Sequence, residues 1–134
     1  MTMTETGYAL VRDLPDQDYD AVVARAIELL AGEGFGVLTE IDVKTTLKKK
    51  LDVDFKRYVI LGACNPPLAH QALSAEPDIG VLLPCNVCVS ERDGGGTRVA
   101  AMNPSAAFSL IANPDIGDVA EEVRGRLQRV LDAI

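Results

Sequence analysis

Gly80-Val-Leu-Leu-Pro-Cys-Asn-Val-Cys-Val-Ser-Glu-Arg-Asp-Gly-Gly-Gly-Thr-Arg-Val-Ala-Ala-Met-Asn103 is the stretch on which the fold class turns. Gly80–Glu91 is strongly apolar and reads as one strand. Asp93–Gly96 supplies a glycine-rich turn, and Thr97–Asn103 returns as a second strand, so the pair reads as an antiparallel hairpin. Strands joined this way do not belong to a wholly parallel sheet, which requires long crossovers.

Reading back from the hairpin, Leu68–Ala75 is expected to be helical, with Pro66 and Pro67 near its first turn, where a missing amide costs little. Arg57–Cys64 is a near-continuous apolar run suited to a central strand. Thr45–Leu51 reads as a short basic helix with Leu47 and Leu51 as its buried pair. Gly36–Lys44 reads as a strand, with Val37, Thr39, Ile41 and Val43 on one face and Leu38, Glu40, Asp42 and Lys44 on the other. Tyr19, Val22, Val23, Ala26, Ile27 and Leu30 recur at helical spacing, with Asp16 or Asp18 as the cap and Gly32 and Gly34 as the stop. Gly7–Leu14 opens the chain as a strand. Beyond the hairpin, Pro104–Ala112 is irregular or a single helical turn. A final helix over about 114–133 carries the stripe Ile116, Val119, Val123, Leu127, Val130 and Leu131. The order β-α-β-(α)-β-(α)-β-β-α predicts an α+β sandwich, with a mostly antiparallel sheet and helices packed on one face.

The chain has 134 residues, of which 48% are hydrophobic and 25% charged. That suits a single domain over 1–134 with one real core, and it excludes a disordered tail, a collagenous repeat and a disulfide miniprotein. No apolar window approaches the roughly 20 residues of a membrane span. The first residues lack the pattern of a secretory signal, and three cysteines is an odd count, so reduced thiols and a cytoplasmic location are expected. A formal charge of −7 argues against nucleic acid or anionic membrane as partners. One segment departs from that average. All the lysines fall in 44–57, which with Arg57 holds six positive charges against Asp52 and Asp54. A solvated helix face is the common reason for such a run. A docking site for an anionic ligand or an acidic subunit surface is the functional alternative.

Three stretches resemble a known family: Gly34-Phe-Gly-Val-Leu-Thr-Glu-Ile-Asp-Val-Lys44, Ile60-Leu-Gly-Ala-Cys-Asn-Pro-Pro-Leu-Ala-His70 and Gly80-Val-Leu-Leu-Pro-Cys-Asn-Val87. In this order and spacing they look like the hallmarks of the domain-of-unknown-function 302 family, over about 8–104. The resemblance implies a β-α-β(4)-α fold like one half of the TATA-binding protein, and a homodimer. It assigns no activity. Cys88 stands where the family motif has an apolar residue.

The chemistry-bearing side chains are few. Cys64, His70, Cys85 and Cys88 have the ligand count of a structural zinc site, but Cys85 and Cys88 lie three apart on a predicted strand and so point to opposite faces. No metal and no cofactor are expected. Cys64 and Cys85 end and begin two apolar strands, and each is followed by an asparagine, Asn65 and Asn86. If the strands are neighbours the two sulfurs come close, and His70, just inside the next helix, would be placed to stabilise a Cys64 thiolate. Plain packing is the commoner role of such cysteines. Glu40 and Asp42, two apart on one strand face, could do acid–base work, Asp42 being the better candidate; more often such a row is simply the wet side of a strand.

Two readings follow. One is a small homodimeric binding module with a pocket for a small molecule formed by Cys64, Asn65, His70, Cys85 and Asn86. The other is a thiol-dependent enzyme or redox sensor using Cys64 or Cys85, with His70 assisting and Asp42 as a further catalytic candidate.

Overall fold

The computed structural model describes residues 3–5 and 7–134, with side chains from residue 7 onward. The elements are β1 (Met3–Glu5), β2 (Ala9–Leu14), α1 (Tyr19–Gly32), β3 (Gly36–Asp42), α2 (Val43–Leu51), β4 (Tyr58–Cys64), α3 (Pro66–Ala75), a 3-10 turn at Pro77–Leu82, β5 (Cys85–Glu91), β6 (Thr97–Met102), α4 (Pro104–Ala107) and α5 (Pro114–Ala133). The strands form one sheet in the order β1-β2-β6-β5-β4-β3, and every neighbouring pair is antiparallel. Setting aside the short β1, the pattern is β-α-β(4)-α with α2 and α3 inserted. Helices α1, α3 and α5 pack together. They cover the sheet face that carries Leu10, Leu61, Val87 and Val99. All four of these side chains are fully buried, as are Leu30, Leu127 and Leu131 from the helices.

Local chemistry sets the helix ends. Asp18 accepts from the Ala21 amide and starts α1, leaving Asp16 without a capping role. All three Asn-Pro steps open helices: Asn65, Asn103 and Asn113 accept from the amides of Leu68, Ser105 and Asp115, and the following proline fills the first helical position. On α5, every member of the expected apolar stripe is buried. Arg12, on the helix-facing side of β2, donates to the carbonyls of Leu131 and Asp132 and satisfies the end of that helix.

Five expectations are corrected. A β-bulge between Val37 and Thr39 inserts a residue into β3. Val37 pairs with Ala63 on the helix-covered side, whereas Thr39 and Ile41 pair with Gly62 and Ile60 on the other, so the expected common face is split. The strand also ends at Asp42, and Val43 and Lys44 belong to α2. That helix buries no residue, and Leu51 is 67% exposed, so Leu47 and Leu51 are not a buried pair. Gly80–Leu82 is not strand: it completes the 3-10 turn, Val81 points outward, and β5 begins only after the cis Leu83-Pro84 peptide. Finally, β1 adds an edge strand where none was expected. No helix among the described residues is long and apolar enough to cross a membrane.

Candidate functional site

Strands β4 and β5 are neighbours, with Ala63 opposite Cys85. The end of β4 and the start of β5 therefore meet beneath α3 and α5, and the helices do not close over them. A cavity of about 310 Å³ remains there, open on one side. Ala63 and Cys85 form part of its floor, Leu68, Ala69 and Ala72 of α3 one wall, and Val119 and Val123 of α5 another. Phe35 and Phe108 close the depth, and both are buried. The wall contains no Asp, Glu, Lys, Arg or His and is almost wholly carbon and sulfur.

Cys64, half-buried, and Cys85, buried, both line this cavity. Burial pushes the Cys85 thiol up to about 11, and the nearby Cys64 adds to the rise. Cys85 is thus a neutral thiol at pH 7, the opposite of what a nucleophile requires. Asn65 lines the cavity too, but its amide is engaged. Its Oδ1 accepts from the Leu68 amide at 3.3 Å, and its Nδ2 donates to the Glu33 carbonyl at 3.4 Å. Arg126 of α5 donates to the same carbonyl at 2.8 Å, so one oxygen ties the end of α1 to the start of α3 and the middle of α5. Gly34 leaves room for this knot: at φ +87°, a Cβ there would lie 2.9 Å from Asn65 Nδ2.

A family model described as "Domain of unknown function DUF302" matches residues 11–134, which takes in the whole cavity wall. The chain belongs to the DUF302 family. A solved DUF302 structure, the crystal structure of an uncharacterized conserved protein from Bacillus stearothermophilus, is 29% identical. It superposes with a TM-score of 0.85 over 93% of this chain and 96% of that one. No curated protein matches. The family's β-α-β(4)-α fold, like that of the TATA-binding protein half, is the one seen here.

Within this DUF302 domain the remaining candidates are dispersed. His70 is exposed on α3 and is not part of the cavity wall. Residues 68, 69 and 72 face inward, and a turn of 100° per residue carries position 70 to the far side of the helix. Asn86 is exposed and lies on the opposite sheet face from Cys85, in a second groove of about 400 Å³ with Tyr58 and Cys88. Cys88 shares a hydrogen bond with Tyr58. Burial raises the Cys88 thiol, that bond opposing the rise, and burial together with Cys88 pushes Tyr58 up to about 12. Asp42 is the N-cap of α2, its Oδ1 accepting from the Thr45 amide at 3.0 Å. Bonds to Thr45 hold its carboxyl below the ordinary aspartate value, which suits a capping anion rather than a proton donor. Among the described residues, no three His, Cys, Asp or Glu side chains are grouped to hold a metal ion.

The sequence marks only part of the cavity wall. Cys64, Asn65 and Cys85 stand out by chemistry. Val119 and Val123 belong to the apolar stripe of α5, and nothing in the sequence sets Phe35, Ala69, Ala72 or Phe108 apart; only their failure to meet one another in space makes them a wall.

Proposed function

We propose that this DUF302 domain is a homodimeric binding module that takes a small molecule into the cavity between α3, α5 and the ends of β4 and β5. The supporting observation is the cavity itself, concave and apolar, flanked by Cys64, Cys85 and Asn65. Asn65 shapes the wall more than it recognises a ligand, because its amide serves the fold. His70 and Asn86 lie outside this site. The sheet face away from the helices, with Ile41, Ile60, Cys88 and Ala100, is available to a second copy. The free thiols suit a reducing compartment such as the cytoplasm, and the acidic balance disfavours nucleic acid and anionic membrane. The thiol-enzyme alternative is weakened by the raised Cys85 and Cys88 thiols and by the outward position of His70.

Native mass spectrometry of freshly purified protein, kept reduced and never exposed to chelator, tests this reading. The expected spectrum is a dimer with a discrete extra mass. Ala72→Phe, which fills the cavity, should remove the adduct and leave the dimer. A monomer would overturn the dimer, and wild type carrying no adduct, or an adduct that survives Ala72→Phe, would overturn the assignment of the ligand to this cavity.

A further inference from the structure

The chemical class of the ligand follows from the cavity wall. The wall carries no charged side chain to pair with an ion, and a charge moved into such surroundings loses its hydration without replacement. Of its polar side chains, Asn65 is already bonded, and Cys64 and Cys85 are thiols, weak donors. Thr39 Oγ1 stands near the outer edge, on an exposed residue of β3. Size is bounded as well. At roughly 30 Å³ per small group, the share of one water in the liquid, about 310 Å³ admits about ten non-hydrogen atoms. The mouth continues the same chemistry outward. Leu38 and Leu73 line the cavity while being 68% and 39% exposed, and Val81 and Leu82, just before the lining residues Leu83 and Pro84, are exposed as well.

We propose that the cavity between α3, α5 and the ends of β4 and β5 binds an uncharged, predominantly apolar molecule of about ten non-hydrogen atoms, or the equivalent end of a longer one. This rests on the binding-module reading and specifies its ligand. Recognition is by fit and apolar contact, so affinity follows chain length up to the capacity of the cavity and then stops rising. Leu38 and Leu73 lose water when the ligand enters, which adds to the same driving force.

A calorimetric series of 1-alkanols tests this on the intact protein. Affinity should rise about fourfold per methylene, so about 200-fold from 1-pentanol to 1-nonanol, and flatten beyond roughly ten non-hydrogen atoms. Nonanedioate, of similar length but charged at both ends, should not bind measurably. Ala72→Phe, with its circular dichroism spectrum unchanged, should shift the plateau to shorter alkanols or abolish binding. Affinity that is flat with length, binding of nonanedioate comparable to 1-nonanol, or no binding of any alkanol would each overturn the proposal. An adduct seen in the native mass would still support the binding module in those cases, because it would then be a molecule of another class. If Ala72→Phe does not fold, the length series and the nonanedioate comparison decide the matter on wild type alone.

Discussion

Gly96→Ala is expected to lower the unfolding free energy by more than about 3 kcal/mol, the range reached only when backbone strain and steric overlap act together. Gly96 closes the turn between β5 and β6 at φ +79°, a conformation an L side chain rarely adopts. A Cβ at this position would also overlap the carbonyl groups of Leu14 and Pro15, which are backbone and cannot swing aside. The neighbouring contacts cannot easily yield. Thr97, the next residue, is fully buried, and its Oγ1 donates to the Gln17 carbonyl at 2.8 Å. The melting temperature should fall by roughly 10 °C or more for a chain of this size. Gly94→Ala is the control, since a Cβ there meets nothing within 4 Å; it should stay within about 0.5 kcal/mol of wild type. If Gly96→Ala unfolded like Gly94→Ala, the packing of the hairpin turn against the end of β2 would be wrong.

Cys85 is expected to react with iodoacetamide at least about tenfold more slowly than an ordinary cysteine near neutral pH, because only the thiolate attacks and burial raises its pKa from 9.0 to about 11, the greater basicity of that thiolate offsetting part of the loss. The rate should climb about tenfold per pH unit through pH 8 to 10, where an unshifted thiol levels off. Cys88, also raised by burial, should lag as well, and both should react at ordinary rates once the protein is unfolded. Peptide mapping after timed alkylation reads each site separately. Cys85 reacting as fast as a free thiol in the folded protein would revive the thiol-enzyme reading and remove the main argument against it.

Much of this architecture is readable from residue patterns, and the exceptions have identifiable causes. Asp18, the stripe on α5 and the turn at Asp93–Gly96 are local signals, and local signals survive into the fold. Gly80–Leu82 misleads because a short apolar run has no period that separates strand from helix, and here Pro77 starts a 3-10 turn instead. The bulge in β3 is set by its partner strand: Gly62 leaves space that Thr39 Oγ1 enters, and a Cβ at Gly62 would overlap that oxygen. Nothing in Gly36–Asp42 alone reveals this. Likewise β1 exists through its pairing with β2. At the site, strand alternation alone separates Asn86 from Cys85, and helical phase alone separates His70 from Leu68 and Ala72. Asp42 shows the reverse case, a carboxylate whose polar setting suggests chemistry and whose neighbours give it a capping role. The cavity is the least legible feature, since an absence of contact between apolar side chains has no residue pattern of its own.

Methyl-resolved NMR during addition of 1-nonanol locates the ligand within the domain. Shift changes are expected at Leu68, Ala69, Ala72, Val119 and Val123, with Val11, Ile60 and Ala100 across the sheet unmoved. Changes centred on Val11, Ile60 and Ala100, or scattered over the surface with none at the cavity wall, would contradict binding in the cavity.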